Sequence, residues 1–185
     1  NSQLLQTEMG LFTDWYLGKH LNATLSDNDQ NILTSTYQTL EISALEQPQV
    51  FVHRDYHSRN LMVLDDDKLA IIDFQDAVLG PVTYDLVSLL RDCYIDWPQQ
   101  KIDEWVDQFI NKLPNRYDKS QFIRWFDLMG MQRHLKAIGI FSRLNYRDNK
   151  SSYMDDIPRT MNYILSISEK YVDLKPFHSF VSQLI

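Results

Sequence analysis

Helical periodicity dominates both ends of the chain. Apolar residues recur every three or four positions from Leu4 to Leu21, which predicts one amphipathic helix. Ser26, followed three residues later by Asp29, has the spacing of a capping box and predicts a second helix that ends before Pro48. After a Gly-Pro pair the helical period returns in five further segments, 84–94, 99–113, 120–146, 157–172 and 177–185.

Three short apolar runs interrupt the helical pattern, at positions 50–52, 61–64 and 69–72. The last two flank a polar run and predict a β-hairpin whose turn is centred between Asp66 and Asp67. With that turn, paired residue numbers sum to 133, so Asn60 would lie opposite Asp73 at the open end of the hairpin. The predicted fold class is α+β and mainly helical, with a small β-hairpin, in one domain over 1–185.

Composition narrows the class of protein. The chain has 185 residues and is 44% apolar, which is enough for one packed core. Asp and Glu (25) outnumber Lys and Arg (18), and this net charge of -7 disfavours nucleic acid as a partner. The single cysteine, Cys93, cannot form an internal disulfide, and no apolar run is long enough for a membrane span or a signal peptide. These features predict a cytoplasmic protein without a membrane partner.

Candidate chemistry lies between the first two predicted strands. The polar segment 53–60 contains the pattern H-x-D-x-x-x-x-N, formed by His53, Asp55 and Asn60, and Asp73 ends a later apolar run. The oxygens of Asn60 and Asp73 are ligands that suit Mg²⁺, and Asp55 could accept a proton from an attacking hydroxyl. The same spacing occurs at the phosphoryl-transfer site of protein kinases. The alternative is that Asp and Asn cap a turn while His53 is a hydrogen-bonded core residue.

Four further residues are candidates for supporting roles. His57 could contact the transferred phosphate or stabilise the loop by a hydrogen bond. Asp85 begins a predicted helix, where a cap or a hydrogen bond to the catalytic loop is favoured over substrate contact. Asp76 could lie near the metal, and Arg133 could pair with an acidic acceptor, although a solvated helix face is the simpler interpretation for Arg133.

The sequence resembles the aminoglycoside phosphotransferase and choline kinase family of kinase-like enzymes. The resemblance rests on His57, where protein kinases have Lys, and on the segments DFQDA (73–77) and GPVTYDL (80–86). Within this family, HRDYHSRNLM, GPVTYDLVSLLRDCY and MQRHLKAIGIFSRL are similar to segments of the bacterial anomeric kinases of N-acetylmuramate and N-acetylglucosamine, which act in cell-wall recycling. The resemblance implies Asp55 as catalytic base, Asn60 and Asp73 as ligands of Mg²⁺, and transfer from ATP to a sugar hydroxyl.

One departure from the family concerns its nucleotide lobe. The family binds ATP between two lobes, and the N-terminal β lobe supplies a phosphate-covering loop and a strand Lys paired with a helix Glu. No segment here corresponds to that lobe, and Lys68 lies in the hairpin turn. The chain is therefore expected to be the C-terminal lobe of a protein-kinase-like fold, with negligible kinase activity alone. Its uncovered surface could also support oligomerisation.

Three other functions stay open on the sequence alone. One is an aminoglycoside or choline-type kinase, and another is a non-catalytic, pseudokinase-like lobe that binds a partner. The third is a metal-dependent hydrolase in which His53, Asp55, His57 and Asp73 bind zinc. That arrangement would leave Asn60 without a role.

Overall fold

The computed structural model of the protein describes residues 2–184, and most of them are helical. The α-helices, in chain order, are α1 (Ser2–Leu11), α2 (Asp27–Leu45), α3 (Tyr84–Leu90), α4 (Gln99–Lys112), α5 (Lys119–Asp148), α6 (Ile157–Lys170) and α7 (Lys175–Val181). The strands are β1 (Gln49–Val52), β2 (Leu61–Val63), β3 (Leu69–Ile71) and β4 (Val78–Pro81). Helix accounts for 68% of the structure and the strands form small antiparallel sheets, which confirms the mainly helical α+β class. Within residues 2–184, no helix has both the length and the apolar character needed to cross a membrane.

Contacts divide the described residues into two compact units. The helical unit combines the residues up to Leu45 with those from Met131 onward. The strand unit is Glu46–Gly130 and contains β1 to β4 together with α3 and α4. Helix α5 contributes residues to both units, because the boundary falls within it.

The helical unit starts with the single helical run that the sequence predicts. This run is α-helical through Leu11 and continues as a π-helix, Phe12–His20. Gly139 on α5 packs against Leu11 so closely that a Cβ at Gly139 would lie 2.4 Å from the Leu11 carbonyl carbon. Only glycine permits this approach of two backbones.

The start of α2 has the predicted capping box. The Asp29 N–H donates to Oγ of Ser26 (3.2 Å), and the Ser26 N–H donates to Oδ2 of Asp29 (3.0 Å). These reciprocal bonds satisfy N–H groups that have no partner within the first helical turn. Helix α2 ends at Leu45, before Pro48, as predicted.

In the strand unit, β1 pairs with β4 in an antiparallel arrangement that sets Val50 opposite Gly80 and Phe51 opposite Leu79. The sequence did not predict β4, because the Gly-Pro pair within it is typical of a turn. Gly80 is buried, and a Cβ there would lie 2.6 Å from a methyl carbon of Val52. The absence of a side chain at Gly80 thus lets β4 pack against Val52.

The predicted hairpin is present, but its predicted register is wrong by one residue. The observed pairs are Leu61 with Ile71, Met62 with Ala70, and Val63 with Leu69. The turn is a 3₁₀ segment, Asp65–Asp67, in which Asp66 takes a left-handed φ of 68°. A three-residue turn shifts every pair relative to a two-residue turn. Asn60 therefore bonds to Ile72, whose N–H donates to the Asn60 carbonyl (3.1 Å), and it does not lie opposite Asp73.

Candidate functional site

Segment 53–60 connects β1 to β2, and a carboxylate from α3 holds its first two residues. The His53 N–H donates to Oδ2 of Asp85 (2.6 Å), and the Arg54 N–H donates to Oδ1 of the same side chain (3.1 Å). Arg54 takes a φ of 76°, a left-handed conformation that is unfavourable for a residue with a Cβ. Because a charged acceptor makes stronger hydrogen bonds than a neutral one, Asp85 can hold the loop in this turn. Of the three roles weighed for Asp85, a helix cap, a hydrogen bond to the loop and substrate contact, the geometry matches the hydrogen bond to the loop.

The side chain of His53 links the same loop to the end of the hairpin. It is buried, and its Nε2 lies 3.0 Å from the carbonyl oxygen of Ile72. Since a carbonyl oxygen can only accept, Nε2 carries the proton in this contact. His53 is therefore a hydrogen-bonded residue that ties the loop to the segment just before Asp73.

Asp55 and Asn60 are in direct contact through the Asp55 backbone. The Asn60 side-chain Nδ2 donates to the Asp55 carbonyl oxygen (2.9 Å), and the His57 N–H donates to the same oxygen (3.0 Å). The residues from Ser58 to Asn60 form one 3₁₀ turn. With the amide nitrogen used in this way, the side-chain oxygen of Asn60 is the atom left for a cation, and the partly exposed Asp55 carboxylate lies on the same short loop.

Asp73 lies two residues beyond β3 on the exposed surface. It takes a left-handed φ of 69°, and its Oδ1 accepts a hydrogen bond from Nε2 of Gln75 (2.6 Å). An Asp carboxylate and an Asn carbonyl are both hard oxygen ligands, so the donor set of Asp73 and Asn60 suits Mg²⁺. Asp76 follows in an exposed turn, in which the Ala77 N–H donates to the Phe74 carbonyl (3.1 Å).

Asp92 was not singled out by sequence reasoning, although it also contacts the loop. This carboxylate is 2% exposed, and it accepts hydrogen bonds from the N–H groups of Ser58 and Tyr94, both at 2.9 Å. The Tyr94 ring lies edge-on to His57, with centroids 5.5 Å apart, and the guanidinium of Arg59 lies 3.5 Å from its centroid. The sequence predicted a helix over 84–94, but α3 ends at Leu90, so Asp92 lies beyond that helix. Its contact with Ser58, 34 residues earlier, is not encoded by local spacing.

Arg133 belongs to the helical unit, where it is half-buried on α5. The hydrogen bonds around the candidate site involve residues of the strand unit. The pairing of Arg133 with an acidic acceptor stays a prediction.

Two adjoining cavities in the strand unit are mostly apolar. One of about 420 Å³ is lined in part by Trp97 and Trp105, and one of about 530 Å³ reaches Tyr56 and Asp85. Neither is lined by the predicted base or metal ligands. The candidate magnesium ligands therefore lie outside both cavities.

The zinc arrangement considered from the sequence is not formed. In the described part of the chain, no three His, Cys, Asp or Glu side chains are grouped so that they could hold a metal ion. His53, one of the four residues considered, directs Nε2 at a backbone carbonyl.

Residues 7–122 match the profile of APH, the phosphotransferase enzyme family. A Neisseria meningitidis protein named N-acetylmuramate/N-acetylglucosamine kinase is 41% identical over 185 residues, which cover 96% of this chain and 54% of that protein. Proteins of the same name from Pseudomonas putida and Pseudomonas aeruginosa are 40% and 43% identical, covering 98% and 87% of this chain. The match spans 55% and 49% of those two proteins. The chain thus spans about half the length of the curated relatives it matches.

Proposed function

Because the chain belongs to the phosphotransferase enzyme family, we propose that it is the catalytic lobe of a kinase that transfers the γ-phosphoryl group of ATP to an amino sugar. The acceptor is N-acetylmuramate or N-acetylglucosamine, and the hydroxyl phosphorylated is the anomeric one. The observation that carries this proposal is the loop in which Asn60 holds the Asp55 backbone, within a chain 40–43% identical to relatives named as kinases of these sugars. Such a reaction would belong to cytoplasmic recycling of cell-wall sugars.

In this mechanism, Asp55 accepts the proton of the acceptor hydroxyl. As the acceptor oxygen forms its bond to the γ-phosphorus, the bond from that phosphorus to the β–γ bridging oxygen breaks, leaving ADP. Mg²⁺ held by the oxygens of Asn60 and Asp73 would neutralise charge on the phosphates. The hydrogen bond from Asn60 to the Asp55 backbone keeps base and metal ligand at a fixed separation. His57, on the same loop, would contact the transferred phosphate.

A second lobe is part of the proposal. Several large apolar side chains on the strands and the hairpin are exposed, among them Phe51 (72%), Val63 (74%) and Leu79 (74%). Exposed apolar clusters of this kind mark surfaces that a partner covers. The matched relatives are about twice as long as the aligned region, so they have residues that could form such a cover. We expect an N-terminal nucleotide-binding lobe there, and negligible activity from these 185 residues alone.

The proposal is tested by comparing two proteins: the 185 residues alone and the longest product of the gene that encodes them. Each is incubated with Mg-ATP and a panel containing N-acetylglucosamine, N-acetylmuramate, an aminoglycoside and choline, and ADP release is measured. We expect acceptor-dependent ADP release only from the longer product and only with the two amino sugars. ADP release with the aminoglycoside or choline instead would show that the acceptor is not an amino sugar of the cell wall but the compound that supports release. Equal turnover by the 185 residues would overturn the two-lobe requirement.

A further inference from the structure

We infer that Asp92 is a positioning residue, which fixes the second half of the 53–60 loop and through it the metal ligand Asn60. The inference rests on the proposed function for its kinetic consequence, but its geometry stands independently. One carboxylate oxygen of Asp92 accepts the N–H of Ser58, 34 residues earlier in the chain, and the other accepts the N–H of Tyr94. The side chain thereby joins the loop to the segment that follows α3.

The Asp92 carboxylate is buried, so it depends on its hydrogen bond to the loop as well as on the local bond to Tyr94. Asp92 is 2% exposed, and a buried carboxylate is unfavourable unless hydrogen bonds compensate for its lost hydration. The bond to Tyr94, two residues away, would suffice for an exposed Asp that closes a turn. The second oxygen instead reaches the loop, so the burial of this charge and the position of Ser58 depend on each other.

Ring contacts reinforce the same anchor. The Tyr94 ring touches the side chains of His57 and Arg59, the two neighbours of Ser58. Three consecutive loop residues therefore contact the short segment from Asp92 to Tyr94. Asp85 holds the start of the loop in a comparable way, so the predicted base, Asp55, lies between two anchored points.

The expected effect reaches the metal site through one 3₁₀ turn. Ser58 begins this turn and Asn60 ends it, with the Asn60 amide bonded to the Asp55 carbonyl. A turn this short cannot absorb a displaced Ser58 without moving Asn60. Loss of the Asp92 contact should therefore lower the affinity for Mg²⁺ more than the affinity for the acceptor. Mutation of residues that orient metal ligands typically lowers metal affinity about 10- to 100-fold.

The decisive variants remove one end of the bond at a time. Asp92→Asn replaces an acceptor oxygen by an NH₂ group. Ser58→Pro removes the donating N–H together with the hydroxyl and fixes φ at position 58. His57 before it has an extended conformation (φ -130°, ψ 170°) that a following proline favours. Ser58→Ala retains the N–H and is the reference for Ser58→Pro. Glu8→Gln neutralises a buried carboxylate of the helical unit, paired with Lys136, and controls for general loss of stability.

Two readouts are compared. Hydrogen exchange of segment 57–60 in the 185-residue chain should become faster in Asp92→Asn, and faster in Ser58→Pro than in Ser58→Ala. In the longer gene product, Asp92→Asn should raise the Mg²⁺ concentration for half-maximal rate about tenfold, with a smaller change in acceptor KM. Glu8→Gln should change neither.

The inference would be overturned if Asp92→Asn only lowered the melting temperature. In that case neither the hydrogen exchange of segment 57–60 nor the Mg²⁺ dependence of the rate would change. If the wild-type longer product shows no kinase activity, the proposed function fails, and the exchange data alone still decide whether Asp92 fixes the loop.

Discussion

The two compact units of the molecule differ in how completely they cover their apolar residues. In the helical unit, large side chains such as Met9, Phe12 and Phe177 are fully buried, although Ile42 and Val172 remain exposed. In the strand unit, exposed apolar residues concentrate on the strands and the hairpin, and the candidate catalytic loop connects β1 to β2. The unit proposed to carry the chemistry is thus the one that leaves more of its apolar surface exposed. Catalysis and covering by a second lobe are therefore expected to depend on the same strands.

The largest expected effect comes from the predicted base. Asp55→Asn in the longer gene product should lower kcat by about 10²- to 10⁴-fold, because a positioned general base typically contributes that much. Steady-state kinetics with Mg-ATP and N-acetylglucosamine measure it. Asp65→Asn, which neutralises an exposed carboxylate in the hairpin turn, is the matched control and should retain activity. Equal rates in the two variants would show that Asp55 is not the general base.

The next effect concerns the anchor at the start of the loop. Asp85→Asn places an NH₂ group against one of two backbone N–H donors, so we expect a loss of stability of about 1–3 kcal/mol. Urea denaturation of the 185-residue chain measures this loss. Asp103→Asn, on the exposed face of α4, should change stability little. A fully stable Asp85→Asn chain would show that the loop holds its conformation without this carboxylate.

A substitution in the helical unit should lower the stability of the protein without changing any residue of the candidate site. Gly139→Ala forces a Cβ against the Leu11 backbone, and overpacking of this kind typically costs about 1–3 kcal/mol. Gly10→Ala is the matched control, because a Cβ there meets nothing within 4 Å and alanine favours the helix. The melting temperature should therefore fall for Gly139→Ala and rise slightly for Gly10→Ala. Similar shifts in both would contradict the close packing of α1 against α5.

The smallest effect on the isolated chain is expected at the exposed strands. Leu79→Gln should change stability by no more than about 0.5 kcal/mol, because that side chain is 74% exposed. It should nevertheless weaken self-association in sedimentation velocity and lower the melting temperature of the longer gene product. A large destabilisation of the isolated chain would mean that this face is packed within the 185 residues themselves.

The sequence predicted those features that depend on local spacing. The helices, the Ser26 capping box and the candidate loop follow from residues within one or two turns of each other. Three features escaped because they depend on contacts that spacing does not encode. Strand β4 needs β1 about thirty residues earlier, the hairpin register depends on the left-handed Asp66, and Asp92 reaches Ser58 across 34 residues.

The most direct test of the account is ³¹P NMR of the longest gene product with Mg-ATP and N-acetylglucosamine or N-acetylmuramate, alongside Asp55→Asn. The account predicts a new, acid-labile sugar phosphate signal that grows with ADP and is missing in the variant. ATP binding without any sugar phosphate from either acceptor would contradict the proposed amino-sugar kinase.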